Sequence, residues 1–466
     1  MIAAAALLLP FLALAGFHGL IWLRARRFGG APLAGPPPRP WRLGSLVPIF
    51  RAGLLDYYRV EALRARDDFL IWMGATPHLV AVRPETVVQV LSDREDFARR
   101  AEPTAMLFGG GVLRLEGEPW RARRAALMPA MRQAAGDAAV TVIREEAAAL
   151  VADWEVHGGA ELSPARDVSF RMLRIIGRLL FGFSFDRDRH GGKPLHRALI
   201  ALSTGVVVRH LLPPWAVRLR GERVEREAQA WLDSLSREVL RDGGPAPLLE
   251  ALREGMRSGA LDERTALDEI RTFLVAGHET SATALVWTLA LLAAHPEVQE
   301  RVHAEVAAAG PLDSAEAVAD LRYTGQVIQE AMRLYPPVPI SISRATRAVR
   351  VGERDVPAGI HVDVVSYAIH RDPRWWPDPD RFDPDRFDAR TPAPRPGTFL
   401  PFLIGPHVCM GMRLALLELP LALAAVVSSY EVTAPHPPRV DLRLSLHPAG
   451  LRLSLQPRAI RRAATA

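Results

Sequence analysis

The stretch from Asp268 to Ala294 constrains this chain more than any other, because it is helical in period and apolar around most of its circumference. A surface helix needs one apolar stripe; apolarity on every side requires burial on every side, in the middle of a large fold. His295-Pro296 stops it, since the residue before a proline is pushed out of the helical region. Gly277, His278, Glu279 and Thr280 interrupt the apolar surface. A membrane-spanning reading would put His and Glu in lipid, which is costly. A chain of 466 residues, 49% of them hydrophobic, can build the core such a helix needs.

The second constraint is Cys409, the only cysteine. One thiolate cannot build a tetrahedral zinc or iron–sulfur site, and it cannot form an intrachain disulfide. It can be the axial ligand of a haem, where the porphyrin supplies the other four donors. The neighbours suit that use. Phe402 is placed to cover the sulfur, and Gly405 and Gly411 let backbone pass close to a flat ring. A helix-like run from Met412 to Val432 puts the sulfur near a helix N-terminus, where the positive end of the dipole favours a thiolate. The bland alternative is a buried Cys acting as a small apolar residue. Pro420 falls inside this run and should bend it, at a cost of about 3 kcal/mol if nothing compensates.

The spacing Phe402-x-x-Gly405-x-His407-x-Cys409-x-Gly411 resembles the haem-binding loop of the cytochrome P450 family, with His407 where Arg is usual. Ala276-Gly277-x-Glu279-Thr280 resembles that family's oxygen-activating helix. Trp120-x-x-x-Arg124, in a helix opened by Pro119, resembles its propionate-binding pair. Glu330-x-x-Arg333 together with Arg386 resembles the network that locks its haem-side meander. Arg344 matches a position that reaches a propionate, and Pro339 to Ser343 matches a stretch lining the substrate pocket.

The resemblance covers nearly all of the chain after residue 40 or so. It implies a mainly α fold with a small β-rich portion, the cytochrome P450 fold, holding haem b (iron protoporphyrin IX) with Cys409 as axial ligand. Phe402 and Gly411 would flank the ring, and His407, Trp120, Arg124 and Arg344 would hold its propionates. The implied reaction inserts one atom of O2 into an apolar small molecule. Gly277 would leave space over the iron, Thr280 would bond back into the helix turn and open a local bulge, and with Glu279 it would hand on protons. Glu330, Arg333 and Arg386 are read as structural.

There is no Gly-x-Gly-x-x-Gly fingerprint and no further Cys, so electrons are expected from a separate ferredoxin or flavoprotein reductase. Arg121, Arg123 and Arg413 are candidates for meeting an acidic partner surface, although a solvated helix face explains the first two as well. The net charge is +6, but the basic residues are scattered without interleaved aromatics, which argues against nucleic acid. Gly109-Gly110-Gly111 lacks the Gly-Lys-Ser/Thr of a phosphate loop and reads as a flexible loop. Ile2 to Leu23 is uncharged and apolar, long enough to span a bilayer, and is followed by Arg24, Arg26 and Arg27. By the positive-inside rule this is a membrane anchor with the rest of the chain cytoplasmic; a helix lying on the membrane is the alternative.

The expected organisation is therefore an anchor with basic flank over 1–27, a Pro-rich linker over 28–45 and a haem domain over 46–466. Within the domain, Asp56 to Arg66 reads as helix, Phe69 to Arg83 as two strands around Gly74 to Pro77, and Pro84 to Leu91 as helix. Ala138 to Leu261 reads as helices with long polar connections, and Val338 to Val365 as short strands. Leu211 to Val217 is an apolar turn, which is either ordinary packing or, as the resemblance implies, a lid over the substrate channel. Two rival functions remain in view. A haem-thiolate isomerase or dehydratase needs neither O2 nor electrons, and Glu279-Thr280 argues against it. A membrane-tethered haem sensor or carrier would bind haem without substrate-dependent electron consumption.

Overall fold

A computed structural model of the chain describes residues 44–74, 76–156, 161–191, 193–211 and 222–458, with single positions at 16, 19, 20, 29, 30 and 217. Apart from those single positions, the expected anchor, its basic flank and the linker before residue 44 lie outside the described residues, as does the interior of the Leu211–Val217 turn.

The first helices are α1 (Leu46–Ala52), α2 (Leu54–Ala65), α3 (Pro84–Ser92) and α4 (Ala105–Phe108). A mainly helical body follows, with α5 (Gly117–Ala134), α6 (Asp137–Glu155), α7 (Pro164–Phe181), α8 (Lys193–Leu211), α9 (Arg223–Asp242) and α10 (Pro247–Arg257). The central helix is α11 (Glu263–Ala294), followed by α12 (Pro296–Ala308), α13 (Ala315–Ala319), α14 (Arg322–Leu334), α15 (Ser366–Ile369) and α16 (Met412–Ser429). Some connections expected to be long are short: Gly243–Ala246 alone separates α9 from α10, and the Gly244 amide bonds the Gly182 carbonyl at 3.1 Å.

α11 begins five residues before the apolar run because Asp262 caps it, its side chain accepting the Thr265 amide at 2.8 Å. Its 32 residues extend about 48 Å and pack against α7, α9, α14 and α16, so the all-round apolarity meets protein on every side. α16 passes through Pro420 and ends at Ser429, short of Val432. Tyr430–Thr433 instead forms a strand paired with Ser454–Pro457, as its aromatic and β-branched residues favour. Among the described residues α16 is also the one helix long and apolar enough to cross a membrane, but it is mostly buried inside the fold.

The β-rich portion is a five-stranded sheet of β1 (Phe69–Met73), β2 (Thr76–Ala81), β3 (Phe97–Arg99), β4 (Ser341–Ala345) and, beyond the small hairpin β5 (Val349–Val351) and β6 (Arg354–Val356), β7 (His361–Val364). The strand order is β1-β2-β7-β4-β3, and only β2 and β7 run parallel. Opposed residues share a face, so the register His78↔His361↔Arg344↔Ala98 sets a polar row across the sheet. After β8 (Tyr430–Thr433), the hairpin of β9 (Arg439–Leu442) and β10 (Leu446–Ala449) folds back on α11, and β11 (Ser454–Pro457) closes the chain.

The Gly109–Gly111 loop is pinned to α11. Gly110 donates to Asp268 Oδ2 at 2.6 Å, and a Cβ at Gly109 or Gly111 would fall 2.1 Å from Asp268 or Thr272. Polar side chains of α11 occupy the space at Gly109 and Gly111, so the expectation of a flexible loop is corrected.

Glu330 and Arg333 pair on α14 in full burial, at 2.6 and 2.8 Å. Arg333 also donates to the carbonyls of His370, Pro379 and Arg381, while Glu330 accepts the Asp383 amide at 2.9 Å. Arg386 brings its Nε within 3.4 Å of Glu330. His370 then links this pair to the cysteine loop. Its Nδ1 meets the Arg333 carbonyl at 3.2 Å and its Nε2 accepts the Leu400 amide at 2.8 Å. Burial holds this imidazole neutral, its pKa lowered to about 3. Arg333→Ala strands a buried carboxylate, and equilibrium unfolding should show a loss of about 3–5 kcal/mol; a loss under 1 kcal/mol would mean the pair does not fix the loop.

Candidate functional site

One cavity of about 480 Å³ lies between α11 and the loop running from Pro401 to Gly411. Its walls are largely apolar, with Ile176 from α7, Phe273 and Ala276 from α11, Phe108, Pro339, and Ile342 in β4.

Cys409 opens onto this cavity. Its amide donates to the Phe402 carbonyl at 3.0 Å, closing the loop, and Phe402 lines the same space. The sulfur lies deep in the protein yet is bare on the cavity side, the reason Cys409 is both enclosed and exposed. Burial pushes the thiol pKa up, while the amides of Gly411 and Met412 at the start of α16 and the Arg124 guanidinium oppose it. A Cβ at Gly411 would stand 3.9 Å from the sulfur. Gly405, at φ +70°, faces the end of α3, where a Cβ would come 2.6 Å from the Leu91 carbonyl, so it seats the loop on α3.

Trp120 and Arg124 share one face of α5 and line the cavity. Arg124 donates to the Val408 carbonyl at 2.8 Å, so the helix also holds the residue next to the cysteine. His407 packs edge-on against Trp120 with ring centroids 4.4 Å apart. Its Nε2 is 3.4 Å from Glu116, which is itself held by Arg99 at 2.7 Å, and neither ring nitrogen has a well-aligned partner. Burial keeps the His407 pKa low.

Two arginines depart from expectation. Arg344 is turned out of the cavity wall, 48% exposed and 3.6 Å from Glu102. In its stead Arg99 and Arg100 line the cavity, and Arg100 Nη1 is buried without a partner. Arg123 is not on an open docking face: it reaches inward to the buried Glu269 at 2.6 Å. Arg121 is exposed and paired with Glu118, and Arg413 is exposed.

On α11, Thr280 bonds the Ala276 carbonyl at 2.8 Å, and the segment remains regular α-helix without the expected bulge. The space a Cβ at Gly277 would enter is taken by Ile176, 2.9 Å away. The glycine therefore admits a side chain of α7, and both residues line the cavity. Glu279 lines the cavity, its pKa lowered to about 2: burial would raise it, but His447 on the β9–β10 hairpin, with Ser445, overcomes that.

The structure thus gathers Cys409, Phe402, His407, Gly411, Trp120, Arg124, Gly277, Glu279 and Thr280 around one space. It leaves out Arg344, and Glu330, Arg333 and Arg386 stand behind it as support. Sequence reasoning missed Arg100, His447 and Glu418. The last is a fully buried acid on α16 that takes a hydrogen bond from Ser281 and has no partner for Oε2. No spacing rule could have found these, since their partners are remote in the chain.

Burial raises the Glu418 pKa from 4.5 to about 8. The folded state therefore holds this proton more tightly than the unfolded chain, a contribution complete below pH 4.5 and lost as pH rises through about 8. Glu418→Gln removes that slope. Denaturant titrations should show the variant gaining on the wild type between those pH values, and parallel curves would place Glu418 in a wetter site.

Comparison with known proteins converges on one family. The family described as Cytochrome P450 matches residues 35–457. The cyclooctat-9-en-7-ol 5-monooxygenase of Streptomyces melanosporofaciens is 31% identical over 86% of this chain and 92% of its own. Cytochrome P450 734A4 of Oryza sativa subsp. japonica is 30% identical over 98% of both chains. Among solved structures, a crystal structure of the cytochrome P450DA heme domain superposes with a TM-score of 0.80 at 25% identity, covering 92% of this chain and 98% of that one.

Proposed function

The chain belongs to the cytochrome P450 family, a family of haem-thiolate monooxygenases, and on that premise we propose that it oxygenates a lipophilic, hydrocarbon-rich molecule held against α11, with electrons from a separate ferredoxin or flavoprotein reductase. The observation that carries this reading is the bare sulfur of Cys409 facing an apolar cavity across from Glu279 and Thr280.

The residues present fit haem b. Cys409 supplies one thiolate where the chain has no second, and the cavity places unpaired donors on Arg100 and His407, with Arg124 beside them, where carboxylates need partners. Among the described residues no other group of His, Cys, Asp or Glu could hold a metal ion. Haem, when bound, supplies the redox chemistry that reduces O2 and transfers one oxygen atom to carbon. The chain does the rest. Cys409 would ligate the haem through Sγ, and the amides of Gly411 and Met412 with Arg124 would favour the anionic sulfur. Trp120, Arg124, His407 and Arg100 would hold the two propionates; Arg344 is 48% exposed and stands aside. The apolar walls desolvate the substrate and exclude bulk water. Thr280 keeps its hydroxyl at the Ala276 carbonyl, and Glu279 is the acid that brings protons to the space between α11 and the loop.

The Streptomyces relative is named for oxidising cyclooctat-9-en-7-ol, an unsaturated alcohol, and such a molecule suits these walls. Arg121 and Arg413 remain as candidates for the partner surface, without Arg123. The sequence from Ile2 to Leu23 supports a membrane anchor with a cytoplasmic catalytic part.

The reduced, carbon-monoxide-bound spectrum tests the ligand: a strongly red-shifted Soret band is expected, lost in Cys409→Ser, and a band typical of His ligation would sink the reading. In Thr280→Ala, substrate binding should persist while the share of electrons lost to hydrogen peroxide rises about tenfold or more; unchanged coupling of NAD(P)H to product would remove Thr280 from proton delivery.

A further inference from the structure

The outer side of Glu279 is met by the β9–β10 hairpin. His447 Nε2 lies 2.8 Å from Glu279 Oε1, and the Ser445 hydroxyl donates to the same oxygen at 3.0 Å while touching the Thr283 hydroxyl at 3.1 Å. The other oxygen, Oε2, faces His278 Nε2 at 4.0 Å. His278 Nδ1 is 2.6 Å from the Leu274 carbonyl, so Nδ1 carries the hydrogen and Nε2 is a buried acceptor without a partner. The two oxygens of Glu279 therefore meet opposite chemistry. Oε1 is offered hydrogens, whereas Oε2 faces a nitrogen that can only accept one.

Exposure runs along the same line. Glu279 is 7% exposed and lines the cavity; the His447 side chain is 23% exposed and stands behind it, outside the lining. The other ionisable groups are accounted for: Arg443 on the hairpin pairs with Asp441 at 2.8 Å, and Glu418 on α16, kept neutral by burial, is bonded to Ser281. His447 is thus the titratable group between solvent and the acid.

We propose that His447 is the proton relay that loads Glu279 from solvent. The imidazolium breaks its Nε2–H bond and forms an O–H bond on Glu279 Oε1. The acid releases a proton into the cavity beside Thr280, and the imidazole takes a new proton from water. One proton moves inward per passage, and no electrons move on the protein. The transfer is uphill at rest and is drawn forward only when a stronger base stands in the cavity. This rests on the oxygenase reading, which provides that base.

His447→Gln keeps an N–H for Oε1 but cannot titrate, and His447→Lys keeps a fixed positive charge. The first readout needs no turnover: the infrared C=O stretch of a protonated Glu279, assigned by its loss in Glu279→Gln. It should be absent from the wild type at pH 7, present in H447Q, and absent again in H447K. With substrate and redox partner, product per NAD(P)H should fall about tenfold or more in H447Q. The wild-type decline in coupling with rising pH should vanish in both variants. An unchanged band, or a changed band with unchanged coupling and pH profile, overturns the relay. The carbon-monoxide spectrum separates the two failures: a thiolate spectrum with these results unmoved condemns His447 alone, and its absence condemns the oxygenase reading together with the relay.

Discussion

A single buried ion pair organises the support of the site. Glu330 and Arg333 are both fully buried, and taking two charges out of water is tolerable only when every donor and acceptor is used. Arg333 meets that demand with three backbone carbonyls beyond its carboxylate, which ties α14 to the segment from His370 to Arg381. His370 passes the constraint on, because a neutral imidazole can donate from one nitrogen and accept on the other. It joins the Arg333 carbonyl to the Leu400 amide. The next residue begins the cysteine loop, so the sulfur inherits its position from a charge pair on another element.

The opposite wall is set by apolar packing. α11 is packed against helices along its length, and its residues from Gly277 to Thr283 meet the cavity and the β9–β10 hairpin. Two carboxyl groups line this cavity and are held in opposite states. Glu279 is ionised because His447 and Ser445 outweigh burial, whereas Glu418, with one serine for company, is kept protonated by burial. The same side chain serves as a charge in one place and a neutral acid in the other.

Much of the site was legible because its signals are local. Cys409, Gly411 and Phe402 lie within one loop, Gly277 to Thr280 within one helical turn, and Trp120 and Arg124 on one helix face. The errors came where a local pattern was given a distant purpose. Gly109 to Gly111 is pinned by Asp268 and Thr272, Arg123 reaches Glu269 and Arg344 turns outward. Each depends on a neighbour remote in the chain, or on which face of a strand meets the interior.

Period, spacing and the solitary cysteine by themselves determined the central buried helix, the thiolate loop and the family to which both belong. These follow from covalent order, since residues a few positions apart on a helix or loop must lie together. Tertiary structure alone decided which cations face the cavity, which acid is charged, and that His447 stands behind Glu279. Charge state and orientation are set by desolvation and by partners as far as 168 residues away, and no rule of local spacing carries that information.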